Sequence, residues 1–132
     1  MKYMLMMHAP RGDGDYQIGS WKPEEFQAHM TFMMDFSREL AEAGELVGAE
    51  GLAAPAEARV VRVGDGGAPT ITDGPFPEAK EFLAGYWIVD VPSAERAYEI
   101  AARASSAPGP GGAALRIPIE VRQVMSAPPP EV

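Results

Sequence analysis

Two segments restrict the fold most, because residues 2–8 and 81–91 carry apolar side chains on both of their alternating faces. Along the second, Phe82, Ala84, Tyr86 and Ile88 alternate with Leu83, Gly85, Trp87, Val89 and Val91. A strand that alternates apolar with polar shows one face to water, whereas a strand apolar on both faces must be covered on both. Each segment is short and bounded by breakers (Pro10, Gly12 and Gly14 after the first, Pro92 after the second), so both read as strands inside a sheet.

Residues 23–43 have helical periodicity. Pro23 takes a first-turn position where its missing N–H costs nothing, Glu24 and Glu25 sit at the positive end of the dipole, and Gly44 stands where a helix stops. At about 100° per residue, Phe26, Met30, Met33, Phe36, Ser37 and Leu40 form the expected inward stripe. Residues 45–52 alternate weakly and read as a second strand. Residues 58–63 and 69–72 flank Gly64-Asp65-Gly66-Gly67 and predict a hairpin. Ser93 offers an N-cap for a second helix ending near Ser105. Residues 107–112 are a Pro/Gly loop, and 115–125 alternate like a strand interrupted by Pro118.

The resulting order is β, α, β, hairpin, long β, α, β. It predicts an α+β fold of the ferredoxin-like kind: an antiparallel sheet with two helices on one face and an inserted hairpin. One domain is expected over 1–125, followed by a Pro-rich tail at 126–132. Two helices cover one sheet face only, so the two-sided strands predict that a second copy of the chain covers the other, giving a homodimer.

Composition excludes several functions. A net charge of -8 disfavours a nucleic-acid or anionic-membrane partner, since both are bound through Lys and Arg. The absence of cysteine removes disulfides, a thiolate nucleophile and Cys-ligated metals. Two histidines without a shared-helix spacing argue against a metal site, and no pattern calls for a cofactor. No apolar run approaches the roughly 18 residues that span a bilayer, and 1–7 lacks the features of a signal peptide, so a cytoplasmic location is expected.

Two places could carry chemistry. The tract 72–81 is a rigid turn in which Asp73 can bond backbone N–H groups and Phe76 can pin the loop to the core; a plain structural turn explains the same residues. His29 lies within the inward stripe of the first helix. It reads either as a core histidine with a satisfied hydrogen bond or as a general base held by a carboxylate. His8, at the end of the first strand, reads as a strand-end residue that could line the same pocket. The glycines at 64–67 precede a strand and are turn residues, and the eight methionines suit adaptable packing.

Asp73-Gly74-Pro75-Phe76, followed by Lys80-Glu81, resembles the DGPF signature of the YCII-related family of small bacterial proteins. Ala28-His29-Met30, the run from Leu40 to Val47, the opening Met1-Lys2-Tyr3-Met4-Leu5, Gly85-Tyr86-Trp87 and Val121-Arg122 are similar to that family as well. Pro77 and Ala79 depart from it, as does the longer loop before the last strand. The resemblance implies a dimeric α+β barrel in which two sheets pack face to face, and a His–Asp pair that falls on His29 and Asp73. On that reading the chain is a small-molecule enzyme of the isomerase or lyase type, with Phe76, Tyr86, Trp87 and His8 around an apolar or aromatic ligand. The alternative is a non-catalytic ligand-sensing or protein-interaction module, since relatives with this signature often accompany sigma factors. A structural dimer without a pocket is the third reading.

Overall fold

The computed structural model describes residues 1–11, 18–76 and 79–125; the expected tail at 126–132 and Pro77 lie outside the described residues. The elements are β1 (Lys2–Pro10), α1 (Pro23–Glu42), β2 (Leu46–Gly51), β3 (Arg59–Val63), β4 (Pro69–Asp73), β5 (Glu81–Asp90), α2 (Ala94–Ser105) and β6 (Ile119–Gln123), with single helical turns at Ile18–Ser20, Pro55–Glu57 and Pro110–Gly112. One sheet has the strand order β2-β5-β1-β6, all pairs antiparallel, and β3 and β4 form a separate two-stranded ribbon. This is the ferredoxin-like α+β arrangement, with the ribbon inserted between β2 and β5.

Local signals explain the boundaries. α1 ends where Gly44 adopts φ 74° and donates to the Ala41 carbonyl at 3.0 Å, a left-handed turn that glycine makes without a steric penalty. The Ser93 hydroxyl caps α2 by accepting from the Arg96 N–H at 3.2 Å. β6 is shorter than the alternation over 115–125 suggests. Pro118 has no N–H to give a ladder, and Arg116 sits at φ 57°, so pairing with β1 begins only at Ile119.

The core lies between the sheet and both helices. Tyr3, Leu5, Met7, Trp87 and Val89 meet Phe36 and Leu40 of α1 and Ala97, Ile100, Ala101 and Ala104 of α2. Phe36 stands edge-on to Trp87 at 5.6 Å between centroids, with the Arg103 guanidinium 5.2 Å from its own ring. The expected helix stripe needs correction. His29, Phe36 and Leu40 are buried, whereas Phe26 and Met30 are exposed, so the inward face is centred on 29, 36 and 40 and is rotated from the expected one.

Alternation along β5 needs a second correction. Met7 pairs with Gly85 but His8 pairs with Leu83, which leaves Ala84 in a bulge. A bulge places two residues opposite one and reverses the faces beyond it. Leu83 therefore shares a face with Tyr86 and Ile88, and Phe82 shares one with Trp87 and Val89. On the side away from the helices, Met4 pairs with Ile88 and Met6 with Tyr86, a half-buried apolar stripe bordered by Glu50, Glu120 and Arg122.

Candidate functional site

α1 packs beside the edge strand β2 and leaves a cleft of about 550 Å³ between helix and sheet. Met7, Met30, Met33 and Met34 form much of its wall, with Trp87, Ala49, Leu52 and Ala84 on the sheet side and Ser37 and His29 on the helix side. Flexible, polarisable thioethers let such a wall adapt to its occupant. Its floor is set by a close approach: a Cβ on Gly85 would stand 2.9 Å from the Glu50 carbonyl oxygen, so only glycine lets β2 lie this near β5.

Among the described residues His29 is the one polar side chain that is buried, at 2% exposure. Its Nδ1 lies 3.0 Å from the Pro108 carbonyl oxygen. A carbonyl can only accept, so the ring donates through Nδ1–H and the neutral imidazole carries its acceptor lone pair on Nε2. Trp21 meets the ring edge-on at 5.2 Å and helps to fix its plane.

The loop that supplies the carbonyl is itself tied down. Pro108 bridges to Ala114, the Gly109 N–H donates to Ala113 at 2.8 Å, and the Leu115 N–H donates to Ala107 at 2.9 Å. Glu25, in the first turn of α1, accepts from the Gly111 N–H at 2.6 Å and from the Lys22 N–H at 3.0 Å. These backbone donors, Gly111 foremost, hold the Glu25 carboxyl below its ordinary range. One acidic residue thus joins the start of α1 to the loop that orients His29.

Of the six residues expected to form one site, five are divided between two of three adjoining clefts. Trp87 lies with His29; Tyr86 borders the same cleft, although its pairing with Met6 and Glu50 directs its side chain to the opposite face. His8 and Phe76 line a second cleft of about 470 Å³, where the His8 Nε2 is 3.0 Å from the Glu120 carboxylate. A third, of about 610 Å³, is walled by Arg11, Gly74 and Pro75; it shares Ile18, Leu52 and Ala84 with the first and Leu52, Pro75 and Phe82 with the second.

Asp73 lines none of these clefts. Its side chain is 95% exposed and its ion partner is Arg59, at 3.7 Å. The expected His29–Asp73 contact is therefore absent within one subunit: the two-stranded ribbon carries Asp73 into solvent, and a backbone carbonyl occupies the orienting position at Nδ1. Among the described residues the expected bond from a backbone N–H to the Asp73 carboxylate is absent too. The turn is held instead by the Gly74 N–H donating to Ala58 at 2.9 Å and by the Arg11 guanidinium donating to the carbonyls of Phe76 and Ala79 at 2.9 and 3.1 Å. Phe76 is 55% exposed and does not anchor the turn in the core.

Sequence reasoning missed Pro108, Glu25 and Arg11. The first two act through bonds spanning 79 and 86 residues, for which a single sequence carries no local signal.

With this geometry in view, the model of the YCII-related domain matches residues 1–118. The chain belongs to the YCII-related family. An uncharacterised protein of Rhizobium meliloti (strain 1021) is 32% identical over 103 residues, covering 77% of this chain and 82% of its own length. Among the described residues no helix is long and apolar enough to cross a membrane, and no cluster of three His, Cys, Asp or Glu residues could hold a metal ion.

Proposed function

We propose that this YCII-related protein, in its DGPF-signature subgroup, binds a small apolar or aromatic molecule in the α1–β2 cleft and moves a proton on it through His29. The observation that carries this reading is one buried imidazole, fixed in its tautomer by a main-chain carbonyl, in a largely apolar cleft whose wall holds four methionines and Trp87. A base at an apolar boundary fits isomerisation, in which a carbon-bound proton is removed and returned at another carbon, or elimination, in which it is removed as a double bond forms and is passed to the departing group. Asp73 enters the proposal as a residue at the outer end of the adjoining turn, and not as the group that orients His29. Two copies pack sheet to sheet through the stripe of Met4, Met6, Tyr86 and Ile88, a pairing that the two-sided strands favour.

The exposure of Asp73 favours a second reading, a ligand-sensing module in which His29 binds and does not catalyse. Hydrogen–deuterium exchange at carbon separates the two. Wild type and His29→Gln are incubated in D2O with a panel of enolisable aryl ketones, exchange is followed by proton NMR, and binding is followed by Tm shift. Exchange above buffer that disappears in His29→Gln supports catalysis. Binding without exchange supports sensing, and neither binding nor exchange refutes both.

A further inference from the structure

Four of the eight methionines line the one cleft between α1 and the sheet: Met7 from β1, and Met30, Met33 and Met34 from α1. Core packing accounts for two of them, since Met7 is buried and Met33 is half-buried against the core. It does not account for Met34, which is 65% exposed, or for Met30, at 37%; both border the cleft from its solvent side. Nor does an apolar wall need sulfur there, because leucine fills a similar volume.

Positions 30, 33 and 34 are i, i+3 and i+4 of one helix, so Met33 and Met34 each have their Cβ about 5–6 Å from that of Met30. Each sulfur hangs on a flexible, unbranched chain, which lets the three thioethers converge in front of the helix while its backbone stays in place. Met7 supplies a fourth sulfur from the sheet side. A thioether is a neutral, soft donor that selects copper(I) over hard cations, so this set falls outside any count of imidazole, thiolate and carboxylate ligands. The chain has no cysteine, and hence no thiolate elsewhere to compete for such an ion. Charge agrees with a cation: the described residues that line the cleft include Glu50 and no lysine or arginine, in a chain of net charge -8.

We propose that Met30, Met33 and Met34, with Met7 on the sheet side, form a thioether site for a soft monovalent cation, copper(I). The site goes beyond the small-molecule reading above and does not rest on it. His29 is held by the Pro108 carbonyl and is not required as a ligand.

The test uses silver(I), the redox-inert ion of the same charge and softness, titrated calorimetrically into the full chain in chloride-free buffer. Wild type is compared with the combined Met30→Leu and Met34→Leu variant and with Met125→Leu, which removes a methionine that is exposed and lies outside the cleft. Leucine keeps the apolar volume and removes only the donor, so all three proteins should share one far-UV circular dichroism spectrum. The expected result is one tight equivalent of silver(I) in wild type and in Met125→Leu, and a Kd at least tenfold higher in the double variant. A wild type that binds no tight equivalent overturns the site, and so does a double variant with an unchanged Kd. The methionine ε-methyl resonances give an independent reading. Those of Met30, Met33 and Met34 should move together as silver(I) is added while that of Met125 stays in place; a shift shared equally by Met125 overturns the site whatever the calorimetry shows. Binding of the aryl ketones should persist in the double variant, since its wall remains apolar, so the two readings of the cleft stand or fall separately.

Discussion

Gly85→Ala tests the packing that forms the cleft floor. The added methyl would stand 2.9 Å from the Glu50 carbonyl oxygen and 3.4 Å from the Gly51 Cα, both of them backbone atoms of β2 that cannot rotate away. β2 must shift, and such overpacking costs about 1–3 kcal/mol. Replacing glycine also restricts the unfolded chain, which offsets about 0.4–1 kcal/mol of that cost. Gly51→Ala supplies the control, because it shares the unfolded-state effect while its Cβ meets nothing within 4 Å. The difference between the two variants is then the strain itself. At about 4 °C per kcal/mol for a chain of this size, Gly85→Ala should melt roughly 4–12 °C below Gly51→Ala. Differential scanning calorimetry of the two proteins measures this directly, and equal Tm values would refute the close approach of β2 to β5. Glu50, Gly51 and Gly85 border the cleft, so Gly85→Ala should also weaken ligand binding there.

Further outcomes follow from the ionic and polar contacts. The Arg96 guanidinium donates two 2.8 Å bonds to the largely buried Glu45 carboxylate, which holds the Glu45 carboxyl below and the guanidinium above their ordinary values. Arg96→Met should cost about 1–3 kcal/mol in urea unfolding, and a neutral effect would contradict the pairing. Because the folded Glu45 pKa is depressed, its stabilisation is complete above the unfolded carboxylate value and is lost as pH falls through the folded one; the wild-type advantage over Arg96→Met should therefore shrink in acid. By the same sign, the Gly111 amide resonance should titrate with Glu25 below the ordinary carboxylate range, and a titration at the ordinary value would sink the proposed tie. Asp73→Asn should leave Tm unchanged within error, since the carboxylate is 95% exposed; a marked loss would mean that Asp73 is covered in solution.

The fold was legible because its signals are local. Pro23, Gly44, Ser93 and the glycines after Val63 mark element ends through backbone chemistry, and the alternation of β1 and β5 marks the sheet. The rotation of α1 was not legible, since Phe26 and Met30 are as apolar as the residues that are buried; the choice of face depends on where β2 lies. The Ala84 bulge was hidden for a related reason, because a bulge in a segment apolar on both faces leaves the alternation looking unbroken. At the site, His29 and its apolar surroundings could be read from helix spacing, and Trp87 from strand alternation. Its partner could not. Pro108 contributes a carbonyl, which every residue possesses, so no side-chain pattern announces it, and the DGPF tract drew attention to a carboxylate that points into solvent.

The orientation of His29 by the Pro108 carbonyl is open to one direct measurement. Long-range proton–nitrogen correlation NMR reads the imidazole tautomer, with His8→Gln identifying the signals of the remaining histidine. The expected result, read at a pH where the imidazole is neutral, is a His29 protonated on Nδ1, with the same signature in Asp73→Asn. A neutral ring protonated on Nε2, or a tautomer that changes when Asp73 loses its charge, would contradict it.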